Sequence, residues 1–400
     1  MKQVPFFALL DLSRVMIYNV SIKQLLNVCS VICEDDMGKF VAVTACVLLA
    51  LIALILLVVA GYVCYVGLTY ERIPDNTALE IENNQSGTVA LGVEYSIATY
   101  NVGFGAYNHE FSFFMDSGKM KDGTEVTGKN SKAASEEVVK TNINGSAALI
   151  SEGDYDFILL QEVDLDSTRS YHIDQYEIFN AAFSDMTRTY GICYDSAFLF
   201  YPLTDPHGKS LTALASYSKF KMDSALRRQY PLATDISKYF DLDRCFVVMR
   251  YSLENGKELV VVNSHMSAYD KGGIVRHQQL EVLNAFLADE QKKGNYVIVG
   301  GDFNHDIAHS DGMFESQQFR PEWVYSLSSD DLVTGYQFVA AQNAPTCRST
   351  DIPYEKGVNY TVVLDGFIVS NNIEVKEVVN IDNDFIYSDH NPATMTFVLK

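Results

Sequence analysis

Hydrophobic and polar positions divide the chain into two unlike parts. From Phe40 to Tyr70 no charged residue interrupts 31 consecutive positions. A helix needs roughly 20 apolar residues to cross a bilayer, so this run is long enough to span one even when tilted. Tyr62, Tyr65 and Tyr70 gather at one end, as at an interfacial aromatic belt. A cleaved signal peptide would have a shorter apolar core and a small-x-small site, so a retained anchor is favoured. Residues 1–39 have no clear role, and Met37-Gly38-Lys39 offers an alternative translation start. Residues 71–92 are polar and read as a tether.

Beyond the tether, short apolar runs alternate with helical periodicity. Strands are predicted at Val93–Tyr100, Tyr155–Leu160 (stopped by Gln161-Glu162), Leu211–Ser218, Cys245–Leu253, Glu258–Val262, Tyr296–Val299, Val362–Val369 and Ala393–Leu399. One helix is predicted over 131–150, with Val139, Ile143 and Ile150 on one side and Gly145 weakening it. A second runs from Ile274 to Lys293, with Leu280, Leu283 and Leu287 at helical spacing and Gly294 closing it. The pattern is α/β with mixed sheets, and residues 93–400 form one large domain.

Charge sharpens this picture. Residues 1–72 carry five basic and five acidic groups, so the net −21 of the chain belongs to residues 73–400. Such a domain repels a polyanion, which disfavours long nucleic acid as a partner. Lys23 and Lys39 before the apolar run and Arg72 after it favour a single-pass membrane protein with the large domain outside the cell. The seven cysteines show no CxxC pair and indicate neither zinc nor a disulfide scaffold, with one bridge among Cys193, Cys245 and Cys347 left open.

Polar clusters stand where the apolar runs stop. Asn101 and Glu162 follow strands; either residue type also serves in turns and caps there, while a carboxylate in this place suits a hard cation such as Mg²⁺. His265 lies in Asn263-Ser264-His265-Met266. In Gly300-Gly301-Asp302-Phe303-Asn304 the glycines allow close backbone approach. Strand spacing would project Asp302 and Asn304 to one side, where they could orient a water nucleophile; a Gly-rich turn capped by Asp302 is the alternative. Asp365 stands inside Val362-Val363-Leu364-Asp365-Gly366-Phe367, where an acid must be paired. His390, in Ser388-Asp389-His390-Asn391-Pro392, is a partner for it. Arg244, Arg276 and Lys271 are candidate phosphate contacts, with surface solvation as their ordinary role.

Taken in order, these motifs resemble the endonuclease/exonuclease/phosphatase superfamily, from about Ser96 to the C-terminus, in a membrane-anchored, bacterial-type member. The resemblance implies a four-layer α/β/β/α sandwich with two packed mixed β-sheets, preceded here by one transmembrane helix. It implies that Asn101, Glu162 and Asp389 serve the metal site, with Mg²⁺ as the ion and Mn²⁺ as a substitute. His265 is then the histidine that contacts the scissile phosphate, Asp302 and Asn304 position the nucleophile, and Asp365 partners His390. The Trp and Arg residues of inositol phosphatases around these motifs are replaced here by His305-Asp306-Ile307 and Gly366-Phe367, which disfavours that activity. The expected function is a membrane-anchored, Mg²⁺-dependent phosphodiesterase acting on a lipid headgroup or small phosphodiester. The alternatives are an extracellular DNase-like enzyme and a catalytically inactive binding module. No protein partner is inferable.

Overall fold

The computed structural model describes residues 36–69, 72–232, 243–268 and 274–400. The proposed start region before Met37 and Lys271 lie outside the described residues. Two units separate, Met1–Leu68 and Thr69–Lys400. In the first, helix α1 runs Asp36–Thr69, and its Gly38–Thr69 stretch is long and apolar enough to cross a membrane. At about 1.5 Å per residue its length exceeds a hydrocarbon core of about 30 Å.

Among the described residues, the second unit is built from strands and three α-helices. In chain order these are β1 (Thr77–Ala78), β2 (Glu94–Asn101), β3 (Ser117–Lys119), β4 (Glu125–Thr127), α2 (Glu136–Ser151) and β5 (Phe157–Asp164). There follow α3 (Gln175–Ala182), β6 (Thr187–Leu199), β7 (Gly208–Ser218), β8 (Ser224–Gln229), β9 (Cys245–Ser252) and β10 (Glu258–His265). The last elements are α4 (Ile274–Lys293), β11 (Tyr296–Asp302), β12 (Tyr336–Val339), β13 (Cys347–Arg348), β14 (Thr361–Val362), β15 (Asp365–Ser370), β16 (Ile373–Asn380) and β17 (Ala393–Leu399). One sheet has the order β1-β8-β9-β10-β11-β15-β12 and the other β16-β17-β2-β5-β7-β6. Each is mixed, with β10 parallel to β11 and β2 parallel to β5.

Strand alternation makes the four layers. Leu259 and Val261 point inward with Ile298, Phe157 and Leu159 to fill the space between the sheets. Their neighbours Val260 and Val262 point outward and pack with Leu280, Leu283 and Leu287 of α4. On the far side, Ala98, Tyr100, Ile158 and Leu160 meet Val139, Ile143 and Ile150 of α2 and Phe179 of α3. A period of two on a strand thus serves two cores at once.

Three sequence expectations are corrected. The helix predicted from 131 begins only at Glu136, where the Ser135 hydroxyl caps the Val138 N–H. The strand expected to stop at Gln161-Glu162 instead runs on to Asp164 through a bulge between Leu160 and Val163, with Glu162 in a left-handed conformation. The strand predicted across Val362–Val369 is broken, because the Thr346 hydroxyl takes the N–H groups of Leu364 and Asp365. The described cysteines, Cys193, Cys245 and Cys347 among them, are free thiols.

One buried ion cluster ties α4 to the sheet. Glu290 accepts from Arg250 at 2.6 Å, Lys293 at 2.8 Å and Asn295 at 2.7 Å. Burial alone would raise its carboxyl, but these partners hold it down at about 2, against 4.5 when free. A depressed acid contributes stability above its unfolded pKa, so the contribution is present above about pH 4.5 and vanishes as pH falls toward about 2. Glu290→Gln is therefore expected to destabilise the protein by about 1–2 kcal/mol at neutral pH, after allowance for solvent screening. Thermal denaturation at pH 7 and pH 3 checks this, since the gap between variant and wild type should narrow in acid.

Candidate active site

Strand register gathers the candidate residues at one end of the sandwich. His265 and Asp302 are Cα partners at the ends of parallel β10 and β11, and Asp302 faces Asp365 across β11 and β15. Gly301 permits this closeness, because a Cβ there would lie 1.9 Å from the Ser264 carbonyl oxygen. From the opposite sheet, β2 ends in Asn101 beside Gln161. The two sheets are pinned just beneath by Gln161 Nε2 donating to Asn263 Oδ1 at 2.8 Å. Gly145 on α2 seats the last motif: a Cβ there would meet the Tyr387 ring at 2.3 Å, so only glycine lets that ring lie against the helix.

Asp302 is the hub. Its Oδ2 accepts from Asn101 Nδ2 at 3.0 Å and lies 3.2 Å from His265 Nε2 and 3.7 Å from His390 Nε2. Its Oδ1 accepts the Asn304 N–H at 2.8 Å. Burial would raise this carboxyl, but His390 and then His265 hold it well below the usual range. Asn304 does not project from the strand as the sequence spacing predicted. β11 ends at Asp302, and Asn304 takes a left-handed turn with its Nδ2 on the Met266 carbonyl at 2.8 Å.

The two histidines are set apart electrostatically. His390 Nδ1 lies 2.8 Å from Asp365 Oδ2, the dyad expected from the sequence. Burial opposes its charge, but Asp365 above all raises it well above the ordinary imidazole value. Burial likewise pushes Asp365 up to about 6, against the pull of His390. His265 goes the other way: burial and then Arg244 lower it, and its Nδ1 is buried without a partner among the described residues. His390 is thus suited to donate, while His265 stays neutral.

Asn101, Glu162 and Asp389 form a second group. Glu162 Oε1 stands 4.0 Å from His265 Nε2, and the Ser388 hydroxyl donates to the Asn101 carbonyl at 2.8 Å. Burial brings the Asp389 carboxyl up to about 7, with His390 opposing and the Glu162 charge reinforcing the rise. Gly103 keeps the space between these groups open, since a Cβ would fall 2.9 Å from Asp389 Oδ1. Two carboxylates and an amide oxygen are hard donors and fit a divalent cation. Asp302, Asp365 and His390 also bring ligand atoms within 4.8 Å of one another. Those atoms already contact one another through the dyad and the hub, whereas Asn101, Glu162 and Asp389 offer oxygen donors alone.

A small cleft opens beside this constellation, lined by Glu162, Arg169, Cys193, Tyr194, Thr212, Arg244 and His265. Arg169 is fully engaged, forked onto Asp164 and Thr212 and stacked 3.8 Å over Phe104. Arg244 is not: it is only 4% exposed, and its Nε has no partner among the described residues. The expectation that Arg244 and Arg276 are solvated surface groups is therefore overturned. Arg276 is buried too, but donates to the Trp323 carbonyl at 3.1 Å and stacks on Tyr325, away from the cleft. Sequence reasoning gave no role to Asn263 or Arg169, although Asn263 stood within a quoted motif.

A model of the endonuclease/exonuclease/phosphatase family matches residues 98–390. No curated protein matches. Among solved structures, an endonuclease/exonuclease/phosphatase from Beutenbergia cavernae is 15% identical, with 76% of this chain and 72% of that chain covered and a TM-score of 0.47. A Bacteroides vulgatus endonuclease/exonuclease/phosphatase is 16% identical over 77% of this chain and 100% of its own, with a TM-score of 0.46. D. rerio TDP2, solved with a single-strand DNA product, is 13% identical over 76% and 98%, with a TM-score of 0.47. With residues 98–390 matched out of 400, the chain belongs to the endonuclease/exonuclease/phosphatase family, whose members are metal-dependent phosphoester hydrolases.

Proposed function

We propose that this chain is a membrane-anchored phosphodiesterase that hydrolyses a lipid headgroup or small phosphodiester outside the cell. The carrying observation is the convergence of the Asp302 hub, the His390–Asp365 dyad and the hard donors Asn101, Glu162 and Asp389, with Glu162 and His265 lining a cleft beside them. Those donors would hold Mg²⁺, or Mn²⁺ in its place, which would supply positive charge to offset the negative charge developing on the phosphate. Asp302, held in place by four neighbouring groups, orients the attacking water and accepts its proton. Asn304 fixes the turn that keeps Asp302 aimed. His390 offers Nε2–H to the phosphoryl oxygen while Asp365 holds its Nδ1–H, and His265 stabilises the same developing charge. The acidic domain argues for a small or lipid substrate over long DNA.

The test is full-length protein in detergent or vesicles, assayed for phospholipid headgroup release and for nicking of supercoiled DNA, with Mg²⁺ and with EDTA. Mg²⁺-dependent headgroup release without nicking is expected. Nicking alone would make the protein a nuclease, and inactivity on both and on a soluble diester would leave a binding module.

Arg244 supplies a finer prediction. The Arg244 Nε, buried beside the cleft without a partner among the described residues, is suited to an anionic substrate oxygen. Arg244→Ala is expected to raise KM about 10–100-fold, the equivalent of one charged hydrogen bond, with a smaller effect on kcat. Arg244→Lys should recover only part of this, because a lysine cannot fork. Steady-state kinetics on the preferred substrate checks both.

A further inference from the structure

We propose that the tip of the β6–β7 hairpin inserts into the bilayer surface and delivers lipid headgroups to the cleft; this rests on the phosphodiesterase reading and names its substrate class. Tyr194 and Thr212, which both line the cleft, are partners across β6 and β7. The hairpin continues from there to the pair Leu199 and Gly208, five residues further along β6, or about 16 Å at strand spacing. Its tip therefore lies beyond the cleft along the same two strands.

That tip is strongly apolar. Phe200, Tyr201 and Leu203 are 51%, 68% and 79% exposed. The Tyr201 ring packs 5.6 Å from Phe114, which ties the tip to the body of the domain. Three large apolar side chains exposed at one hairpin tip are unfavourable in water unless an apolar phase receives them.

The occupant is a lipid surface, for two reasons. The candidate membrane span ends at Thr69, which is also the first residue of the catalytic unit, so a bilayer lies within reach of this domain. The charges flanking the tip also cancel, with Lys132 on Asp205 at 2.5 Å and Lys209 on Asp166 at 3.0 Å. A polyanion meets no net positive charge there, whereas a zwitterionic lipid surface requires none.

The test uses the full chain reconstituted into phosphatidylcholine–sphingomyelin vesicles. The chain has a single tryptophan, Trp323, so Leu203→Trp adds one reporter at the tip. Brominated lipid should quench the added fluorescence, and absence of quenching overturns the proposal whether or not the enzyme is active. In parallel, Phe200→Ser, Tyr201→Ser and Leu203→Ser are combined. The triple variant is expected to lose roughly tenfold or more of its headgroup release while hydrolysing soluble bis(p-nitrophenyl) phosphate like wild type. Equal loss on both substrates, or on neither, overturns delivery by the tip. Loss of DNA nicking without quenching would place nucleic acid on this surface instead. If wild type attacks neither diester, the phosphodiesterase reading fails, and quenching still decides bilayer contact by itself.

Discussion

Asp302→Asn is expected to lower kcat about 10³-fold or more, the range of losing a preorganised charge and its proton acceptor together. The substitution keeps the shape but turns one oxygen into a donor. Oδ2 now receives Asn101 Nδ2 at 3.0 Å and faces His265 Nε2 at 3.2 Å, while Oδ1 receives the Asn304 N–H. Whichever way the amide turns, one existing donor would confront an NH₂ group. The same change removes the negative charge 3.7 Å from His390 Nε2, so the imidazolium loses one of its two acids. Water would be poorly oriented, and no group at that point could take its proton. Kinetics at saturating substrate, with circular dichroism to confirm the fold, is the measurement. A variant retaining kcat within about tenfold of wild type would remove Asp302 from the chemistry.

The hub was legible in the sequence because its parts are short motifs at the ends of apolar strands. Gly301-Asp302 and Ser264-His265 announce two strand ends, and parallel pairing of β10 with β11 then makes them neighbours. What local pattern hides is whether a charged residue is covered. Arg244 and Arg276 read as surface arginines, yet both are buried, as is Arg227, whose guanidinium is spent on the carbonyls of Ile192, Ile73 and Asp243. Long-range burial of this kind has no local signature.

Other strands were missed for a related reason. β8 carries Arg227 and Arg228, and β16 alternates Ile373, Glu374, Val375 and Lys376 at a sheet edge, so neither shows an uninterrupted apolar run. β6 is interrupted by Gly191, which packs where a Cβ would strike Val247 at 2.6 Å. Glycines misled in the other direction too. Gly145 reads as a weakness in α2, whereas its bare Cα is what seats Tyr387 and hence Asp389 and His390. The bulge that turns Glu162 toward His265 is likewise a product of sheet pairing with β7, not of the residues around it.

The position of the cation yields the last prediction. Two constellations could hold it: Asn101, Glu162 and Asp389, or the tighter Asp302, Asp365 and His390. Mg²⁺ favours oxygen donors and octahedral surroundings that keep several waters, which suits the partly open Glu162 side rather than a closed acid–imidazole triad. In the triad, Asp365 already has His390 Nδ1 at 2.8 Å, so a cation there would have to displace that contact. Glu162→Gln is therefore expected to raise the Mg²⁺ concentration needed for half-maximal activity about 10²-fold or more, and to leave activity at low-millimolar Mg²⁺ about 10²–10³-fold down. Asp365→Asn should lower kcat by loosening His390 while leaving the Mg²⁺ requirement close to wild type. Activity titrated against Mg²⁺, with direct metal binding measured by calorimetry, separates the two sites. A shift in metal affinity from Asp365→Asn and none from Glu162→Gln would move the cation into the triad and recast His390 as a ligand instead of a proton donor.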